Sequence, residues 1–138
     1  MTFTLTGESL MIVKLILAVL FGAILGLARK GYPIRMRTLA LVCLGSTVFT
    51  VISIYPMSTT SDPTRVMAQI VTGIGFLGAG VIWKSQKNLS GLTTAAAIWT
   101  VAGLGMLLAL ELWVTALAGL ALSFLILKSK DLEDKIMG

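Results

Sequence analysis

The sequence contains no histidine and one cysteine, Cys43. Without histidine, the commonest general base and the commonest nitrogen ligand of zinc are missing. A lone cysteine inside an apolar run excludes an internal disulfide and any CxxC chemistry. Charge is also scarce: 12% of the 138 residues are charged, about half the share of an ordinary soluble domain. Acids number six against eleven Lys and Arg. There is no Ser/His/Asp set, no carboxylate pair within an apolar run and no phosphate-cradling glycine loop. The chain is therefore expected to be non-enzymatic, with no cofactor and no metal site.

What the sequence has is apolar surface. Hydrophobic residues make up 57% of it, more than a soluble fold of this size can hide behind a polar shell. The bilayer has to be the solvent, and a single domain is the natural count. The net charge of +5 raises the question of nucleic acid. The cations, however, lie in short gaps between apolar runs and are not interleaved with aromatics, which is how membrane topology is encoded. No nucleic-acid partner is expected.

The expected fold is all-α, a bundle of five short transmembrane helices. The spans read as about 10–28, 38–55, 63–83, 92–110 and 112–127, after a short segment 1–9 and before a polar tail 128–138. The first run lacks a basic leader region and is followed by further spans, so it reads as a span and not as a cleaved signal. The stretch Leu92–Leu127 is 36 residues long, too long for one helix, and Glu111 near its middle marks a hairpin. Arg29, Lys30, Arg35, Arg37, Lys84, Lys87, Lys128, Lys130 and Lys135 fall on one side, and only Lys14 and Arg65 on the other. The positive-inside rule then places the amino terminus outside and the tail in the cytoplasm. Asp62 and Pro63 read as a helix start, and Gly31 with Pro33 as a helix break.

The third span is the most informative. At about 100° per residue, Arg65, Gln69, Thr72, Gly73, Phe76 and Gly80 share one face, while Gly75 and Gly78 lie opposite. Small residues on two sides place this helix at the centre of the bundle. Arg65 and Gln69 either line a polar seam open to the outer side or serve as hydrogen-bonding glue between helices. The second span carries a stripe of Cys43, Ser46, Thr50 and Ser53. It either lines a pathway with Gln69 or bonds back to its own carbonyls. Gly22 and Gly26 form a GxxxG packing pair. Lys14 is expected to reach up to the headgroups, Glu111 to sit in an outer turn, and Ser90 or Thr93 to cap the fourth span.

Several of these stretches together resemble the MgtC/SapB (YhiD-like) family. They are Arg37-Thr38, Asp62-Pro63-x-Arg65, Ala68-Gln69, the run Gly73-Ile74-Gly75-Phe76-Leu77-Gly78-Ala79-Gly80-Val81-Ile82, and Gly91-Leu92-Thr93-Thr94-Ala95-Ala96 with Trp99. The resemblance covers roughly Val13–Lys128. It implies a multi-pass protein of the bacterial inner membrane, linked to magnesium limitation and to pathogen survival in macrophages. It also implies action on a membrane complex such as ATP synthase or on the membrane potential; apart from the resemblance, a homo-oligomer is a further expected partner. Against the family pattern, Ala28 stands where many members have an acid, Ser90 where many have arginine, and Thr93 where virulence members have asparagine. The candidate polar seam is thus Arg37, Thr38, Asp62, Arg65, Gln69, Gly73, Thr93 and Thr94, and the packing set is Gly22, Gly26, Gly75, Gly78 and Gly80. Two functions fit: a regulatory or accessory membrane protein, or a transporter or channel subunit using Arg65 and Gln69.

Overall fold

The computed structural model describes residues 5–29, 36–55, 62, 64–84 and 89–129. The expected loop features at Lys30, Gly31, Pro33, Arg35, Pro56, Ser61, Pro63 and Lys87, and the tail from Lys130, lie outside the described residues. The described residues form five helices: α1 (Leu5–Leu27), α2 (Met36–Ile54), α3 (Thr64–Gly80), α4 (Leu92–Ala109) and α5 (Trp113–Lys128). Among the described residues three segments are long and apolar enough to cross a bilayer: Gly7–Leu27, Met36–Ile54 and Leu92–Ala109. At 1.5 Å per residue their 21, 19 and 18 residues reach about 27–32 Å. Between α3 and α4, Trp83–Lys84 and Leu89–Ser90 pair as a short antiparallel β-hairpin, β1 and β2, an element the hydropathy pattern did not signal.

Side-chain contacts fix the directions. Lys14 of α1 meets Ala109 at the end of α4, and Arg29 after α1 meets Thr94 at its start, so α1 and α4 are antiparallel. Gly22 of α1 lies against Leu39 and Ala40 in the first half of α2, and Gly78 near the end of α3 lies against Ala95 near the start of α4. Successive helices therefore alternate in direction. The end of the bundle holding Arg29, Arg37, Lys84 and Lys128 has no acid among the described residues, whereas Glu8, Asp62 and Glu111 lie at the other end with Lys14 and Arg65.

The centre of the bundle is α4, not α3. α4 touches each of the other four helices, and nine of its 18 residues are buried against two of the 17 in α3. The core joins Ala18, Phe21 and Leu25 of α1, Leu39 and Cys43 of α2, Ile98, Val101, Leu104 and Leu108 of α4, and Ala116 and Leu120 of α5; α3 adds only the partly buried Ile74. The expectation for α3 failed because small residues permit close approach without compelling it. A Cβ at Gly73, Gly75 or Gly80 would meet nothing, and one at Gly78 would make ordinary contact with Ala95. The tight approaches are elsewhere. A Cβ on Gly22 would run into the backbone of Leu39 and Ala40, and one on Gly105 into the Cys43 carbonyl and the Thr47 hydroxyl. α2 is thus clasped between α1 and α4. Gly26, the second member of the GxxxG pair, is buried.

Smaller differences have local causes. α1 begins at Leu5, five residues before the expected span, and α3 ends at Gly80 ahead of the hairpin. α4 gives way to α5 through Leu110–Leu112, where Glu111 adopts φ 63°, a left-handed conformation suited to a tight turn. Neither Ser90 nor Thr93 caps α4: the cap position is Gly91 at φ 91°, with no side-chain hydrogen bond. Glycine is required there twice over, by the positive φ and because a Cβ would strike the Val81 carbonyl.

Candidate functional site

Two polar clamps hold α1 to α4, one at each end. Lys14 is 5% exposed; its Nζ donates to the Ala109 carbonyl at 2.9 Å and pairs with Glu111 Oε1 at 2.9 Å. The ammonium therefore turns inward, contrary to the expectation that it reaches the headgroups, because an acceptor carbonyl and a carboxylate converge on it at the α4–α5 turn. Fifteen residues further along, about 22 Å at helical rise, Arg29 is 1% exposed. Its Nη2 donates to the Thr94 hydroxyl and its Nη1 to the Thr93 carbonyl at 3.4 Å. Sequence reasoning counted Arg29 only as a loop cation. The signal that could have found it was the pairing of a cation at the end of one apolar run with hydroxyls at the start of another.

These contacts give the Gly91-Leu92-Thr93-Thr94 motif a physical reading. Gly91 lets the hairpin fold under α3, and Thr94 delivers a buried hydroxyl to Arg29. Thr93 and Thr94 thereby belong to the α1–α4 clamp and are not brought together with Gln69.

The second feature is a groove of about 590 Å³ between α2 and α3. Thr38, Gly45, Ser46, Gln69 and Gly73 line it, with Leu41, Val42, Phe49, Val66, Ile70, Ile74 and Leu77 as apolar wall. Of the predicted seam, Thr38, Gln69 and Gly73 do meet here. Arg37, Asp62 and Arg65 are exposed at the helix ends and do not line the groove.

The α2 stripe splits in use. Thr50 donates to the Ser46 carbonyl at 2.7 Å. The Thr47 hydroxyl lies 2.9 Å from both the Cys43 carbonyl and the Gly105 carbonyl of α4, bonding back to its own helix and across to its neighbour. Ser46 is 3% exposed, and its hydroxyl has no hydrogen-bond partner among the described residues. A second cleft, of about 430 Å³, separates α3 from α4 along Ile70, Ile74, Thr100, Gly103 and Leu107. α3 consequently has open space on two flanks and its firmest seat at Gly78.

At the start of α3, the Asp62 carboxylate accepts from the Thr64 amide at 2.9 Å and from the Thr64 hydroxyl at 2.7 Å. These two bonds, with the nearby Arg65 charge, hold its carboxyl below the usual range. Among the described residues no group of three or more Cys, Asp and Glu is placed to hold a metal ion.

Comparison with known proteins identifies the family. The MgtC family model matches residues 15–135. Protein MgtC of Salmonella typhimurium is 48% identical over 111 residues, covering 78% of this chain and 46% of that protein. YhiD of Escherichia coli is 36% identical over 126 residues, 85% of this chain and 59% of its own. An uncharacterized protein of Haemophilus influenzae is 41% identical over 104 residues, 67% of this chain and 44% of its own. The chain thus spans about half the length of the curated relatives it matches. No solved structure matches it. With a matched region that takes in the Arg29–Thr94 clamp and the groove, the chain is a membrane protein that belongs to the MgtC family.

Proposed function

We propose that this protein is a non-enzymatic, multi-pass protein of the bacterial inner membrane that regulates or assists other membrane proteins under magnesium limitation. In this reading all five helices cross the bilayer, with the amino terminus outside and the tail in the cytoplasm. The alternating helix directions and the gathering of Arg29, Arg37, Lys84 and Lys128 at one end support that topology.

The observation that carries the regulatory reading is the outward face of α3. Buried Lys14, Arg29 and Thr94 are engaged in the clamps and Thr47 and Thr50 bond to backbone carbonyls, whereas α3 presents Gln69, Gly73 and Gly80 outward beside an open groove. In lipid, such a face suits another protein helix better than acyl chains. A membrane complex such as ATP synthase is one partner the family membership suggests.

A transporter reading rests on Gln69 and Ser46 lining the same groove, and on YhiD of Escherichia coli, whose name presents it as a candidate magnesium transporter. Complementation of a family-member deletion in low magnesium, beside magnesium flux in proteoliposomes, separates the two. Gln69→Leu is expected to lose complementation while keeping its melting temperature, and the wild-type protein to show no flux above empty vesicles. Retained complementation with lowered melting would end the functional-site reading. Flux abolished by Gln69→Leu would install the transporter.

A further inference from the structure

The two clefts that flank α3 differ in their charged surroundings. The groove between α2 and α3 runs from Thr38 to Phe49 on one wall and from Leu77 back to Val66 on the other. Each wall advances eleven positions, about 16 Å at helical rise. The groove begins two residues into α2 and three before the end of α3, at the end of the bundle with no acid among the described residues. Arg37, exposed, stands beside Thr38 at this mouth. The cleft between α3 and α4 extends instead to Leu110, next to Glu111 at the opposite end.

The surface of the α2–α3 groove is apolar, with Val42, Ile70 and Ile74 in its walls. Ser46 is 3% exposed and adds little polar surface. The Gln69 side chain, like any on a helix, leans toward the N-terminal end of its own helix, which carries its amide away from the mouth. The space is also unfilled by the chain itself: a Cβ on Gly45 or on Gly73, one from each wall, would meet nothing.

We infer that one acyl chain of an anionic phospholipid of the cytoplasmic leaflet lies in this groove, with its phosphate held at Arg37.

Length selects the occupant. The hydrocarbon core of a bilayer is about 30 Å thick, so the chains of one leaflet reach about 15 Å. The groove has that depth, about half of what a spanning helix of another protein would contact. Charge selects the headgroup, since basic residues at the cytoplasmic ends of spans attract anionic lipid. The lipid takes the flank between α2 and α3 and leaves Arg65, Thr72, Phe76 and Gly80, which do not line the groove, to a protein partner. The inference rests on the spanning topology proposed above and not on the partner reading of α3.

Purified protein in detergent is mixed with phosphatidylglycerol or phosphatidylcholine of equal chain length, and bound lipid is read by native mass spectrometry. Wild type is expected to retain phosphatidylglycerol in preference. Arg37→Gln should weaken that lipid about fivefold, the ~1 kcal/mol of one cation at the membrane surface, and leave phosphatidylcholine unchanged. Gly45→Leu and Gly73→Leu fill the groove from opposite walls and should lose the lipid at wild-type melting temperature. Gly103→Leu, which enters the other cleft where a Cβ also meets nothing, should keep it. Dihexanoyl phosphatidylglycerol, with the same head and short chains, should bind wild type more weakly. Equal retention of the two headgroups, equal binding of the short-chain lipid, or lipid kept by both groove-filling variants overturns the inference. If Ser9→Cys and Lys130→Cys both label from outside the cell, the topology fails first and the inference falls with it. With that labelling as expected, the lipid results alone decide.

Discussion

Lys14 and Glu111 form an asymmetric pair. The ammonium is buried, while the Glu111 side chain is 52% exposed. Removing the acid leaves a cation in a low-dielectric site with only the Ala109 carbonyl. Removing the lysine leaves a carboxylate that water can reach. Glu111→Gln should therefore cost about 1–3 kcal/mol, less than for a fully buried pair, whereas Lys14→Met should cost under about 1 kcal/mol. Thermal unfolding in one detergent checks the order, and equal losses would contradict it. At the other clamp, Thr94→Val keeps shape but removes the acceptor of a buried guanidinium, an expected loss of about 1–3 kcal/mol; Thr94→Ser should recover most of it. Asp62 adds a pH dependence. Its folded pKa is depressed by the Thr64 hydrogen bonds, so its contribution is present above the unfolded value near ~3.9 and is lost as pH falls through the folded one. Protection of the Thr64 amide from hydrogen exchange should drop below about pH 4, and Asp62→Asn should flatten that drop.

Among elements, the decisive contacts are made by glycines whose neighbours are backbone. α2 presses on Gly22 from one side and Gly105 from the other. Gly22→Ala or Gly105→Ala should cost about 1–3 kcal/mol through overpacking, while Gly75→Ala, in open space, should change melting by less than about 0.5 kcal/mol. Helix propensity alone favours alanine at all three sites, so unchanged or raised stability at Gly22 and Gly105 would contradict the close approaches there. Here the limits of sequence reading have a physical basis. A GxxxG at Gly22 and Gly26 and a glycine-rich α3 look alike in one dimension, because a missing side chain states what is permitted and not what arrives. Gly105 gave no motif at all, since its partner is a carbonyl 62 residues away. The five apolar stretches were legible, because helix length and hydropathy are local. The candidate seam was legible only in part: Thr38, Gln69 and Gly73 share the groove, but the Arg29–Thr94 clamp depends on a chain reversal no local pattern records.

For the molecule as a whole, the distribution of charge decides which way the bundle sits. Four of the described cations belong to the end with no described acid, and the three described acids to the other. Orientation follows Lys and Arg near the span ends, and acids contribute little, so the clamp residue Arg29 helps encode topology as well as packing. In the proposed five-span topology the termini lie on opposite sides. Ser9→Cys should react with an impermeant maleimide in intact spheroplasts, and Lys130→Cys only after permeabilisation; the buried Cys43 supplies no background. α3 is the element on which this outcome turns, because Thr64–Gly80 has 17 residues, about 26 Å at helical rise, the lower end of a spanning length. If α3 lay on the surface instead, α4 and α5 would have to invert relative to α1. The Lys14–Glu111 and Arg29–Thr94 contacts, which tie both ends of α1 to both ends of α4, would be broken by that inversion. Labelling of both cysteines from outside would therefore refute the five-span topology and the α1–α4 clamps together.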